Sequence, residues 1–383
     1  MLLQTGSCPW ALAIDKVAYG AGCELLIVDK EGTVTKLSVH RGAIRSIVYV
    51  ESRDVLVTTA DDKRVLVICM STLDVKHDIL LRRKASAVVW KPTEAATIAE
   101  ENFVILDKFG EATRVTMADL WRLGELGERQ LAAHLVKNPN DKTMHEFATS
   151  IWGASAMTVR KEAVKPIQDD ICDDEADVLG SYPSFCHLAT ITCFSTGSHP
   201  TLGDLLVTGD RDEKIRVGSL GVLENTQWMG LGHREFISDV LFMGERVVSA
   251  AADKDICFWD TTSGERLGCL TIDAGIPSKL TAVNTLTFLA LVEKTNGNQL
   301  LTIDVQKMHV VDSTDYPGGI QAVIPAWDAV VDLQGRLIKR DGTVVTPNLP
   351  PIPPSRNDYW KHNRRPGAPT EEERRAKRLR GER

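Results

Sequence analysis

Apolar residues along this chain come in short runs rich in Val, Ile and Leu, broken by clusters of Asp, Gly and Lys. Seven segments repeat one pattern, an apolar run, an acidic turn and a second apolar run: LLIVDKEGTVTKL, VLVTTADDKRVLVI, FVILDKFGEATRV, LLVTGDRDEKIRV, VVSAAADKDICFWD, LLTIDVQKMHVV and AVVDLQGRLIKR. β-Branched runs bounded by such turns predict hairpins rather than helices. Each segment carries an Asp at or near its turn, namely Asp29, Asp62, Asp107, Asp212, Asp253, Asp304 and Asp332.

The spacing of those aspartates predicts the architecture. Successive gaps are 33, 45, 105, 41, 51 and 28 residues, and only the 105 stands far from the ~40–45 residues of one four-stranded repeat. Seven such units close into a ring that leaves no long sheet edge exposed, so the expected fold is all-β, a seven-bladed β-propeller over residues 1–346. The excess, residues 118–177, is expected as a partly helical or disordered insertion between blades. Its first part spaces Leu120, Leu123, Leu126, Leu131 and Leu135 as a helix does. Its second part holds six acids between Asp169 and Asp177, a composition expected of a solvated loop. Residues 347–383 form a separate tail. Five prolines between Pro347 and Pro354 mark a linker, and TEEERRAKRLR from Thr370 reads as a short, N-capped helix.

Charge adds an asymmetry. The chain of 383 residues carries −7 overall, while Trp360–Arg383 has nine Lys/Arg against four Glu. An acidic body with a basic tail restricts any nucleic-acid contact to patches. Eight cysteines form no CxxC pair, and several lie within apolar runs, so free buried thiols in a reducing compartment are expected. No apolar run approaches the ~18 residues of a membrane span, and the N-terminus lacks the basic start and apolar core of a signal peptide.

Catalytic patterns are absent. There is no GKS/T phosphate loop, HExxH or GxSxG elbow, and the many Asp residues sit in turns, where Asp serves local hydrogen bonds. Gly20-x-Gly22 is followed by the strand-like CELLIV, not by the helix that a phosphate loop needs, and reads as a turn between strands.

Finer features of the repeat carry a resemblance. Three copies align from their turn Asp onward at Asp62, Asp212 and Asp253, and the third ends in Trp259-Asp260 with Gly232-His233 upstream. His40 and His187 precede Asp62 and Asp212 by similar distances. This resembles the WD-repeat family. The resemblance implies a hydrogen-bonded chain within a blade, here His233, Ser249, Asp253 and Trp259, that supplies the donors a buried turn carboxylate requires. Gly218 and Ile68 stand where two other blades would carry the Trp.

Within the repeats, TGDRDEKIRV followed by LGHREFISDV resembles the non-catalytic WD-repeat subunit of the tRNA (guanine-N7-)-methyltransferase over Thr208–Val240, with weaker support from VLVTTADDKRVLV and LGSYPSFCHLATI. The resemblance implies a protein of the nucleus, with the cytoplasm as a second compartment, that is not itself an enzyme and binds no cofactor. It would dock on a catalytic subunit that binds S-adenosylmethionine and forms 7-methylguanosine in the tRNA variable loop. Strand alternation sets Lys214 and Arg216 on one side and Ile215 and Val217 on the other. Lys214 and Arg216, with Arg211 nearby, are therefore expected to meet acidic residues of that partner. In the tail, Arg374, Arg375, Lys377, Arg378 and Arg380 carry two readings, contact with tRNA phosphates or, more blandly, a nuclear-import signal or a plain soluble end. The alternative function is a WD-repeat scaffold or ubiquitin-ligase substrate receptor, although the Trp-Asp-x-Arg of many such receptors is missing: Trp259-Asp260 continues Thr-Thr and Trp327-Asp328 continues Ala-Val.

Overall fold

The computed structural model describes residues 10–12, 16–29, 32–81, 84–91, 97–107, 110–152, 184–223, 225–324, 328–332, 336–339 and 342–346. They form seven four-stranded antiparallel sheets, the blades of a propeller. Strands follow one another in chain order within every blade, and the first strands of blades 1 to 3, and those of blades 4 to 6, lie side by side. Most second and third strands are buried on both faces, Val55–Ala60 throughout, because each blade is sandwiched between two others. Apolar clusters accordingly lie between successive blades. Ile215 and Val217 of blade 4 pack with Trp228, Ile237 and Trp259 in one of them.

The first strands share a device. In blades 2 to 7 the pairing of first and second strands slips by one residue near the strand start, leaving Arg45, Ser86, Thr192, Ser238, Ser278 and Gln321 as the extra residue. Such bulges sharpen the twist and turn a side chain out of the ladder. Two of these side chains stitch blades together: Thr192 Oγ1 donates to Ile237 O of blade 5 at 2.6 Å, and Ser238 Oγ to Pro277 O of blade 6 at 2.5 Å. Between blades 2 and 3 the link is a carboxylate. Glu101 is buried and accepts from Trp90 Nε1 at 2.9 Å and Arg53 Nε at 3.1 Å.

The positions of the turns correct the repeat in two blades. Asp29 and Asp304 lie between the third and fourth strands of blades 1 and 6, whereas the other turn aspartates lie between second and third strands. The second-to-third turns of blades 1 and 6 carry Gly22 and Gly297, both at positive φ (63° and 87°), in place of an Asp. That is why the spacing read as 33, 51 and 28 residues beside those blades. Gly22 thus closes a turn between strands, as its sequence context predicted.

The insertion opens within blade 3 rather than between blades. Helix α1 (Met117–Lys137) begins where the third strand, Glu111–Thr116, ends; α2 (Lys142–Trp152) follows, and the chain returns as the fourth strand, Ser184–Cys186, of the same sheet. Thr116 and Asp119 form a reciprocal cap, Asp119 N donating to Thr116 Oγ1 at 3.2 Å and Thr116 N to Asp119 Oδ2 at 3.0 Å. Helix α1 lies on the outermost strand of blade 2, Val75–Leu80, with the Trp121 and His77 ring centroids 4.5 Å apart. Close approach requires Gly124, since a Cβ there would stand 2.8 Å from Ile79 Cγ2. The acidic stretch Asp169–Asp177 and the tail from Pro347, including Arg374, Arg375, Lys377, Arg378 and Arg380, lie outside the described residues.

One cysteine pair overturns the expectation of free thiols. Cys257 and Cys269 stand opposite each other on the third and fourth strands of blade 5 and form a disulfide. Cys23, Cys69, Cys186 and Cys193 are free. No helix among the described residues is long and apolar enough to cross a membrane.

Candidate functional site

Three turns between second and third strands are built on a His–Asp pair. In blade 5, His233 Nδ1 lies 3.1 Å from Asp253 Oδ2, His233 Nε2 lies 2.8 Å from Ser249 Oγ, and Trp259 Nε1 donates to that same hydroxyl at 2.8 Å. A carboxylate can only accept, so His233 Nδ1 is the donor to Asp253. Blade 2 repeats the arrangement with His40, Asp62 (3.0 Å) and Thr58 (2.8 Å), and blade 4 with His187, Asp210 (2.8 Å) and Thr208 (2.7 Å). Strand register places Ile68 and Gly218 at the Trp259 position: Thr58 pairs with Leu66 and Thr208 with Arg216 as Ser249 pairs with Cys257.

Blade 4 departs from the sequence alignment. The residue that meets His187 is Asp210, buried to 1 % exposure, and not the exposed Asp212. In blades 2 and 5 the turn Asp accepts the amide two residues on, Arg64 and Asp255. In blade 4 Asp210 Oδ1 accepts the amides of both Asp212 and Lys214, at 2.9 Å each, and Asp107 and Asp332 likewise reach the amide four residues on. The turn itself has the same length in all three blades, since Gly209 pairs with Ile215 as Thr59 does with Val65 and Ala250 with Ile256; what differs is that the carboxylate meeting the histidine stands two residues earlier in blade 4. Two acids in TGDRDEKIRV fit the pattern from sequence; strand register sets Asp212 at the place of Asp62 and Asp253, and only the contact with His187 singles out Asp210. Burial pushes the carboxyl of Asp210 up, but the His187 contact and the amides of Lys214 and Asp212 outweigh it and hold it below the ordinary value.

The blade 4 turn sets out its charges differently. Arg211 is exposed, with Nε 3.7 Å from Asp212 Oδ1. Lys214 is half-buried, and its ammonium makes no hydrogen bond or ion pair among the described residues. Arg216 is engaged away from the turn. Its Nε donates to Thr226 Oγ1 at 2.8 Å, and its Nη1 reaches across to Cys186 O of blade 3, also at 2.8 Å. Burial keeps this guanidinium below its usual pKa. Ile215 and Val217 face the core between blades 4 and 5, as alternation required. Among the described residues no group of three His, Cys, Asp or Glu is placed to hold a metal ion.

Comparison with known families decides the kinship. The model of the tRNA methyltransferase TRM82 WD40 domain matches residues 28–344. This chain belongs to that family. Among curated relatives, this TRM82-family chain is 44 % identical over 64 residues, 16 % of either chain, to the tRNA (guanine-N(7)-)-methyltransferase non-catalytic subunit wuho of Culex quinquefasciatus. It is 23 % identical over 310 residues to the subunit of the same description, wdr4, of Dictyostelium discoideum, covering 76 % of this chain and 56 % of that one. The match thus spans little more than half of the longer-matched relative and a sixth of the other. Among solved structures the C-terminal WD40 domain of Sif2 superposes with a TM-score of 0.55 at 13 % identity, covering 88 % of this chain and 80 % of that one, a likeness of fold alone.

Proposed function

We propose that this chain is the non-catalytic subunit of a tRNA (guanine-N7-)-methyltransferase, docking through blade 4 on a catalytic subunit that binds S-adenosylmethionine. The family membership and the descriptions of its relatives support the assignment. The observation that carries the docking site is Lys214: a half-buried lysine whose ammonium has no intramolecular partner among the described residues, on a turn pinned by Asp210. A cation held in place but left unpaired suits a carboxylate from outside the chain. Arg211 stands beside it at the rim, and Arg216 supports both from below by fixing the neighbouring backbone. The basic tail is assigned to tRNA phosphates and the complex to the nucleus as parts of the same proposal.

The test is methyl transfer to tRNA by the catalytic subunit alone, with this protein, and with its Lys214→Glu variant. A desolvated ion pair at an interface loses ~2–5 kcal/mol when one partner is removed, against ~0–1 for an exposed pair. Stimulation by the wild type and its loss with Lys214→Glu are expected. Equal stimulation by both proteins removes Lys214 from the interface, and no stimulation by either removes the proposed function.

A further inference from the structure

We infer that Leu188 is the apolar anchor of the surface on which the catalytic partner docks. This rests on the function proposed above and adds a residue to which neither charge pattern nor blade motif points. The position directly after the blade histidine recurs three times, as Arg41, Leu188 and Arg234. In blades 2 and 5 its amide donates to the turn carboxylate, Arg41 N to Asp62 at 2.9 Å and Arg234 N to Asp253 at 2.8 Å, which fixes the backbone and leaves the side chain to solvent. Arginine suits such a place. In blade 4 the same place holds a leucine that is 93 % exposed, while His187 and Ala189 on either side are buried.

The loop that displays Leu188 is tied down on both sides. Cys186 O accepts from Arg216, His187 N donates to Gly110 O at 2.8 Å, and the His187 ring is held by Asp210 and Thr208. Beyond Leu188, Thr190 O accepts from Arg211 N at 3.0 Å. Gly110 sits so close beneath that a Cβ there would fall 2.2 Å from Ala189 O. An apolar side chain presented by a fixed backbone is preorganised: little ordering cost remains when a partner covers it. The bond from Arg211 to Thr190 also makes this loop continuous with the charged turn, so the apolar anchor and the basic rim of Arg211 and Lys214 form one surface. Met229, half exposed and paired across the sheet with Arg216, and exposed Leu231 extend it. The complementary occupant is a protein surface with an apolar recess edged by carboxylates. Nucleic acid fits less well, because a leucine offers nothing to a phosphate.

The experiment measures binding of the full-length chain to the catalytic subunit at low and high salt for wild type, Leu188→Ser, Leu188→Met and Lys214→Glu. Burial of a leucine predicts about 10- to 100-fold weaker binding for Leu188→Ser at both salt concentrations, with Leu188→Met near wild type. The Lys214→Glu defect shrinks as salt rises. Thermal unfolding of Leu188→Ser stays at the wild-type temperature, since the side chain packs against almost nothing. Unchanged binding by Leu188→Ser beside a weakened Lys214→Glu overturns the anchor and leaves the docking proposal standing. No binding by the wild type overturns both. Unchanged subunit affinity with reduced tRNA affinity of the assembled complex overturns the anchor in favour of a nucleic-acid contact.

Discussion

His187 Nδ1 lies 2.8 Å from Asp210 Oδ2, and both side chains are almost wholly buried. The pair divides the labour in the charged turn of blade 4: Asp210 holds the turn together, and the four charged residues after it are released to the surface. Asp210→Ala removes the acceptor of two backbone amides and of the His187 ring, leaving buried donors unpaired. A loss of about 2–4 kcal/mol of stability is expected in urea unfolding. Asp212→Ala, at an exposed position, is expected to stay within about 0.5 kcal/mol of wild type. The reverse order would restore the alignment that paired His187 with Asp212.

Acid sensitivity follows from the same turns. Burial raises the carboxyls of Asp62, Asp210 and Asp253, but their histidine contacts and backbone amides outweigh it, and all three lie below the ordinary value. A carboxyl whose pKa is depressed by folding contributes stability that is fully present above its unfolded pKa, about 4, and lost as pH falls through the folded value. Stability from these three groups should therefore hold from neutral pH to about 5 and decline below about 4. Asp210→Asn lowers stability at pH 7 and flattens this decline. Urea midpoints at pH 7, 5, 4 and 3 measure it, and equal pH slopes for variant and wild type would contradict the role given to Asp210.

Most of the fold was legible because hairpins announce themselves locally. Alternating apolar runs and Asp/Gly turns count the blades, and His233, Ser249, Asp253 and Trp259 are joined as the WD-repeat resemblance implied. What was illegible depends on which strand meets which. Asp29 and Asp304 look like the other turn aspartates, yet they close the third-to-fourth turns, because Asp serves any tight turn equally well. The 105-residue gap revealed excess length without revealing that it leaves and re-enters one sheet. Arg216 looked like a free basic side chain, since its acceptors, Thr226 and Cys186 O, lie 10 and 30 residues away. Leu188 carried no signal at all: an isolated leucine in a loop is unremarked until its exposure and the rigidity around it are known.

The disulfide of blade 5 was hidden for the same reason. Cys257 and Cys269 are 12 residues apart in a chain of scattered cysteines, and only the pairing of two strands sets them face to face. Of the eight cysteines, the denatured, unreduced protein is expected to titrate two fewer thiols than the reduced protein, and peptide mapping should find 257 linked to 269. Full titration of eight thiols without reductant would return the pair to the free thiols expected from composition.

Arg216 shows how the docking surface depends on groups that do not face the partner. Its guanidinium donates from Nε and Nη2 to Thr226 Oγ1 and from Nη1 to Cys186 O, joining two strands of blade 4 to the edge of blade 3 just before the loop that carries Leu188. Lysine keeps the charge but offers a single ammonium head, which cannot span both acceptors. Arg216→Lys is therefore expected to cost about 1–2 kcal/mol of local stability and to speed amide exchange over residues 186–190, with exchange in blades 5 and 6 unchanged. Lys214→Arg makes the contrasting case, because a head group that only has to reach an external carboxylate tolerates the exchange: amide protection stays at the wild-type level and partner binding is retained. Were the two conservative exchanges to behave alike, with protection unchanged in both, Arg216 would be a contact residue like Lys214 rather than the brace behind it.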